Sequence, residues 1–323
     1  SIWSAGDNLY GQLGDSSNTN SLLPVLVKSS KIFHQIDAGE NFMLAIADSG
    51  KVYAWGNNQW GTFGNGNFTN SNVPVLNLAI NNANKIAAGA KHSLVLDTNG
   101  TLLSFGQNIY GQLGLGNNGN SNFPQAVSSI NNITQIAAGE KHSLALKSDS
   151  TVWSWGNNAY GQLGDGTVID RNAPVQVIGL SSIVEIACGK YHNLALDADS
   201  NVWVWGNNAL GQLGLGNIIF SNTPVLLNIS RKISHLASGD MHSLLLDRWG
   251  NVYAFGDNSS GQLGSGNYNN QLQPVKVNSI NQIKEIYAGA QNSFALRKDG
   301  SVWVWGDNNQ GQLGNGFSNY ELV

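Results

Sequence analysis

The sequence predicts an all-β chain folded as a β-propeller of four-stranded blades, and three periodic features predict it. A Gly-Gln-Leu-Gly tetrad, Gly-Thr-Phe-Gly in one copy, begins at Gly11, Gly61, Gly111, Gly161, Gly211, Gly261 and Gly311, a period of fifty residues with no insertion or deletion. All six prolines keep that period, at Pro24, Pro74, Pro124, Pro174, Pro224 and Pro274. So do the Ala-Gly or similar pairs ending at Gly39, Gly89, Gly139, Gly189, Gly239 and Gly289, four of which are followed three residues later by a histidine.

Each unit holds four short strand candidates, read here on the unit that starts at Pro174: residues 175–177, 183–187, 193–196 and 202–205. In the last type Trp203 and Trp205 stand two apart, which puts both rings on one face of the strand, packed between adjacent sheets. An Asn-Gly or Asp-Gly turn, as at Asn99-Gly100 and Asp299-Gly300, joins the third and fourth types as a tight hairpin requires. The tetrad follows, its glycines supplying the positive φ of a compact crossing loop. Proline then starts the outer strand, where no ladder hydrogen bond is lost. Radial four-stranded sheets resolve the edge-strand problem. A parallel solenoid is the structural rival, disfavoured because its coils are shorter and lack paired hairpin turns.

Runs such as Val152-Trp-Ser-Trp-Gly-Asn-Asn-Ala-Tyr-Gly-Gln-Leu-Gly-Asp-Gly166 and Ile186-Ala-Cys-Gly-Lys-Tyr-His-Asn-Leu-Ala-Leu196 resemble the repeat of the regulator of chromosome condensation family, over essentially the whole chain. The resemblance implies a seven-bladed ring closed by strands from both termini. Counting supplies seven tryptophan-type segments, including Ile2-Trp3, but only six of the Ala-Gly type. Residues 1–23 are thus a part-unit. Seven blades, one of them incomplete, are expected, with six-bladed closure the alternative, in a single domain spanning residues 1–323.

Composition narrows the function. With 16 basic and 20 acidic residues spread thinly and a net charge of −4, no patch has the cation density that nucleic acid requires, so no direct nucleic-acid contact is expected. No apolar run is long enough for a membrane helix, and Ser1 opens directly into a repeat, so a soluble protein is expected. The single cysteine, Cys188, excludes an internal disulfide, fits a reducing compartment and reads as a small buried residue. No nucleophile elbow, phosphate-cradling loop or carboxylate pair outside the loops stands out, so neither ordinary enzyme activity nor a cofactor is expected. Paired asparagines such as Asn57-Asn58 and Asn207-Asn208 are compatible with a low-GC genome, hence with a bacterial effector delivered to a host cytosol.

His92, His142, His192 and His242 would approach a common axis, but blades spread around a wide ring do not readily bring imidazoles to one ion, and Phe42 and Asn292 fill the same position in the end units. A local role, hydrogen bonding the loop, is expected, and no metal. Two positions after each loop glycine vary freely on a rigid frame: Glu40-Asn41, Ala90-Lys91, Glu140-Lys141, Lys190-Tyr191, Asp240-Met241 and Ala290-Gln291. Variation of this kind suits a binding face, with Tyr191 and Met241 an apolar centre among charges. Sequence drift on plain solvated loops is the rival account.

In the family's exchange factor for the small GTPase Ran, acids and histidines of such loops touch the GTPase. The resemblance therefore implies Glu40, Glu140 and Asp240, with His142 and His242 beside two of them, as contacts. The partner-binding set is Glu40, Lys91, His92, Glu140, Lys141, His142, Lys190, Tyr191, His192, Asp240, Met241, His242 and Gln291. That exchange factor also uses an inserted β-wedge, for which the unbroken period leaves no room. The Gly-Trp-Arg-His-Thr run of the plant ultraviolet-B photoreceptor is missing too. Regulation of a Ran-like GTPase, in cytoplasm or nucleus, and a non-catalytic scaffold or enzyme inhibitor are the two readings; a light- or metal-responsive role has little support.

Overall fold

The computed structural model describes residues 1–322; Val323, the last residue of the expected domain, lies outside them. Among the described residues the regular elements are 25 β-strands and no helix. Strands β1 (Trp3–Gly6) and β2 (Ser21–Leu26) form a two-stranded antiparallel sheet. The first blade follows: β3 (Phe33–Ala38), β4 (Phe42–Ala47), β5 (Val52–Gly56) and β6 (Ser71–Leu76), hydrogen-bonded in that order from the axis outwards. Four more four-stranded blades occupy residues 83–126, 133–176, 183–226 and 233–276. The sixth has three strands, β23 (Ile283–Ala288), β24 (Asn292–Arg297) and β25 (Val302–Gly306), and a single bridge from Gly306 to Glu321 marks the place of a fourth.

Six blades therefore own an inner strand, which is the six-bladed count. The β1–β2 sheet adds an outer strand pair between the sixth and first blades. Ring order follows from the loops, each of which rests on the next blade: the Gly66 amide donates to Asn122, Gly316 to Leu22 and Ser16 to Asn72.

The sequence dictates each piece locally. The second and third strands of a blade are covered on both faces, so His92–Asp97 is buried at every residue, and its apolar centre Leu94-Val95-Leu96 is continuous rather than alternating. Its closing turn is fixed by Asp97, whose carboxylate accepts the Asn99 and Thr101 amides at 2.9 and 2.8 Å, while Gly100 takes a φ of 82°. The outer strand differs from expectation. It runs Arg171–Gln176, so Pro174 lies inside it rather than at its start. The register shift between Ser154 and Gly156 removes the ladder bond a proline cannot donate, and the strand is an edge.

The crossing loops depend on a residue that composition alone disguised. Asn8, Asn58, Asn108, Asn158, Asn208, Asn258 and Asn308 are all fully buried. The Asn158 side chain accepts the Leu163 amide at 2.9 Å and donates to the carbonyls of Thr167 and Ile169 at 3.2 and 3.1 Å. This asparagine of each crossing loop is thus a staple that satisfies loop groups no sheet could reach.

Candidate partner-binding face

The Ala-Gly loops and the tetrad loops lie at the same ends of their strands and together form one face of the ring. In five of the six loops the first variable residue ties the loop to the next: Glu40 N–H donates to Ala90, Ala90 to Gly139, Glu140 to Lys190, Lys190 to Asp240 and Asp240 to Ala290, at 3.0 to 3.3 Å. Around the axis these loops enclose about 340 Å³. The approach is close enough to require glycine: a Cβ on Gly189 would lie 2.1 Å from the His192 ring and 2.6 Å from the Gly239 carbonyl.

Charged residues of the predicted set meet at this mouth. Lys190 Nζ lies 3.1 Å from Glu140 and 3.5 Å from Asp240, Lys141 lies 2.9 Å from Glu140, and Lys91 lies 3.5 Å from Glu40. Desolvation works to raise the Glu140 carboxyl, but hydrogen bonds from Tyr191, Lys141 and Lys190 overcome it and hold the group below its usual range. Asp240 is held above its usual range, by desolvation first, with Glu140 and Glu40 adding to it against Lys190. Desolvation also acts on Lys190, yet Asp240 and Glu140 keep its ammonium above the ordinary value. Lys190 thus remains charged as the link between two acids.

Aromatic residues that the sequence reading passed over flank these charges. Lys91 sits 5.9 Å from the Trp60 ring and Lys141 5.2 Å from Tyr110, while Tyr160 and Tyr191 rings are 5.3 Å apart. Trp60, Tyr110 and Tyr160 each immediately precede a tetrad, so a signal of position was available. Tyr191 packs on Tyr160, and Met241 lies against Gln212 at 3.5 Å. Gln291 is exposed on the last loop.

The four histidines are not on this face. His92, His142, His192 and His242 are 0% exposed, so they cannot touch a partner docked on the loops. They bond across blade boundaries and not to the loop: His92 Nε2 to Ser143 Oγ at 2.9 Å, His142 to Asn193 Oδ1 at 2.7 Å, His192 to Ser243 and His242 to Ser293. Ser143 donates its own proton to the Gln112 carbonyl, so His92 must donate through Nε2, and the Asn193 oxygen demands the same of His142. Each Nδ1 is buried without a partner. Burial drives His92 and His192 down to about 3 and His142 and His242 to about 4, leaving neutral imidazoles.

The tetrad glutamine completes the seam. The Gln262 carbonyl accepts both the Trp305 indole N–H at 2.9 Å and the Ser293 hydroxyl at 2.8 Å from the following blade. Cys188 is half-buried with its Sγ 3.3 Å from Asn193 Oδ1, and desolvation pushes its thiol above the ordinary value, which favours the protonated form. Among the described residues no group of three or more histidine, cysteine or acidic side chains is placed to hold a metal ion.

Fold and face together define a propeller whose loops form a rigid, charged and aromatic-rimmed rosette. The profile of the RCC1-like domain matches residues 1–220, and that of the regulator of chromosome condensation (RCC1) repeat matches residues 199–246 and 250–296. The chain belongs to the RCC1-like family. No curated protein matches it closely enough to count as a relative. Among solved structures it is similar to Prp20p of Saccharomyces cerevisiae, described with its binding properties to Gsp1p and histones, at 23% identity over 99% of this chain and 84% of that one, with a TM-score of 0.88. It is also similar to human WBSCR16, at 23% identity over 99% of this chain and 92% of that one, with a TM-score of 0.89. A plant receptor-kinase ectodomain, CR4 of Physcomitrella patens, is more distant, at 17% identity over 87% of this chain and 63% of that one, with a TM-score of 0.56. These neighbours come from yeast, human and plant, and lend no support to a bacterial effector. Among the described residues no helix is long and apolar enough to cross a membrane.

Proposed function

We propose that this chain is a protein-interaction propeller whose loop face binds and regulates a small GTPase of the Ran type, in cytoplasm or nucleus. One observation supports the reading above the rest: Glu40, Glu140 and Asp240 are held around one axis by loops bonded to each other, a preorganised acidic triad with lysines between. Such a frame meets a basic protein surface without an ordering cost. The binding properties described for yeast Prp20p point the same way. Nucleotide exchange is the stronger form of the proposal, and the unbroken repeat gives it no long wedge to work with.

Release of a fluorescent guanine nucleotide from Ran, with and without this protein at micromolar concentration, tests exchange. Acceleration supports it, and an unchanged rate together with no complex on gel filtration refutes the GTPase reading altogether. A scaffold or enzyme inhibitor with no GTPase partner is the second reading, favoured by the internal matching of Glu140 with Lys141, Lys190 and Tyr191, which leaves few free charges for a GTPase. Changing Glu140, Lys141, Tyr191 and Met241 together to alanine separates the face from the rest of the molecule: retention of every bound protein in a pull-down would exclude it.

A further inference from the structure

The boundary between the fourth and fifth blades is plugged differently from its neighbours. At four boundaries a turn after the outer strand, at residues 78–79, 128–129, 178–179 and 278–279, carries an aliphatic side chain inwards. Ile80, Ile130 and Ile280 are buried there and Leu180 partly so, each in the core shared with the following blade. Between the fourth and fifth blades residues 227–230 form no turn. Residues 228–230 read Asn-Ile-Ser, where residues 278–280 read Asn-Ser-Ile. This exchange of two neighbours leaves Ser230 exposed in the place of Ile280, with Ile229 only partly buried against the core. Ser30 and Lys31 hold the same positions ahead of the first blade, but there Phe33 packs edge-on against Tyr53, ring centroids 5.5 Å apart. Ahead of the fifth blade the matching residue is the smaller Ile233.

The space left by the missing plug is a pocket of about 570 Å³ on the outer rim, bordered by Leu215, Ile229, Tyr253 and Gln273. That is the size of a ligand site and not of a packing defect. Arg231 stands at its wall, the guanidinium carbon 5.9 Å from the Tyr253 ring centroid. At the four plugged boundaries the equivalent residues are Asn81, Asn131, Ser181 and Asn281, none of them charged. Lys276 pairs with Tyr253 directly across the ladder and so lies on the same face of the fifth blade. No ion pair among the described residues includes Arg231 or Lys276. The lost plug weakens packing, and the same segment brings in an unpaired cation; departures from the repeat gathered in this way are characteristic of functional sites.

We propose that this pocket docks an extended acidic peptide segment of a partner protein. An aliphatic side chain of the peptide, of the size that Ile280 has at the next boundary, enters beside Ile229 and Tyr253. An aspartate or glutamate next to it meets Arg231, whose fork of donors suits a carboxylate, and Lys276. Charge selects the flanks of the peptide, and the vacated isoleucine position selects its centre. The pocket shares no residue with the mouth of the loop face, so this inference is independent of the GTPase reading.

The test uses the whole chain and an array of short peptides whose two central residues run through Leu, Ile, Val and Phe between pairs of Asp or Glu, with matching arrays flanked by Lys or Asn. Fluorescence anisotropy gives the Kd of the best acidic peptide. Expected is saturable binding that falls about tenfold or more with Lys flanks and weakens as salt rises. Arg231→Asn, copying Asn281, should weaken binding about tenfold with the melting temperature unchanged. The double variant Ile229→Ser with Ser230→Ile, copying Ser279 and Ile280, should lose the binding while melting roughly 2 °C higher, because its pocket is refilled. No binding by any acidic peptide, equal binding of Lys-flanked peptides, or unchanged binding by either variant would each overturn the proposal. So would isocaproate binding as tightly as the peptide, since the pocket would then belong to a small acid.

Discussion

The boundary between the fifth and sixth blades and the opening between the sixth and the first are made from the same repeat. At one, Val252 is completely enclosed; at the other, Val302 is mostly in water. Each of the first five blades contributes to two separate cores and the sixth to one, so a blade removed from its neighbours has no interior of its own. Stability in such a ring resides at the boundaries, as the sum of nearest-neighbour terms. Repeat identity fixes strand, turn and loop, and leaves burial to whatever stands beside the blade.

The widest separation of the two regions comes from one substitution made at two equivalent positions. Val252→Asp buries an unpaired carboxylate and should cost more than about 4 kcal/mol, whereas Val302→Asp should lie within about 0.5 kcal/mol of the parent. Denaturant melts compare them, and equal costs would mean that the opening is closed in solution.

Next in size is the pH dependence of the sealed boundaries. The buried imidazoles titrate near 3 to 4 folded and near 6.5 unfolded, so below pH 6.5 the unfolded chain holds the extra protons. Their stabilising contribution is complete above about pH 6.5 and is lost as pH falls towards 4, with each histidine adding up to about 1.4 kcal/mol per pH unit. Asp37, pushed up to about 6 by burial against hydrogen bonds from the Ala88 and Ala38 amides, binds its proton more readily when folded and offsets one histidine over part of this range. His92→Phe, copying Phe42, should reduce the slope of stability against pH by up to one proton. The same slope in parent and variant would remove the imidazole from the account.

Two smaller effects follow. Lys190→Ala removes half-exposed ion pairs with Glu140 and Asp240 and should cost no more than about 1 kcal/mol, less at high salt, because the charges are partly screened by water. A cost that does not respond to salt would show that packing, and not charge, holds the mouth. Ser150 turns a hairpin with a φ of 65° where Gly100 and Gly300 stand in other blades. Ser150→Gly should raise stability by about 0.5 kcal/mol in a thermal melt, and a loss would place the value of Ser150 in its hydroxyl.

Most of the architecture was legible because it is local. The strand spacing, the hairpin turn and the crossing loop depend on residues within a dozen positions of each other, and the fifty-residue period repeats the message. The start of the outer strand was misplaced by three residues, at Pro174 instead of Arg171, because a bulge on an edge strand has no signature except the proline itself. Asn158 escaped notice since abundant asparagine looks like composition until its loop closes around it. The candidate site was less legible. The variable loop residues were found, but their aromatic neighbours Trp60, Tyr110 and Tyr160 belong to the preceding blade and meet them only in the ring. The histidines were assigned outwards because their partners, Ser143 and its equivalents, are 51 residues away.

Those histidine bonds all point the same way around the ring, each from one blade to the following one. Peeling off the sixth blade strips His242 of Ser293 and strands an imidazole together with the Gln262 carbonyl. Peeling off the first blade takes the Thr62 carbonyl from the Ser93 hydroxyl and the Asp37 carboxylate from the Ala88 amide, and strips no imidazole of its partner. Acid therefore loosens one end of the molecule and spares the other: as the pH drops, unravelling acquires a direction, starting from the sixth blade and running backwards along the chain.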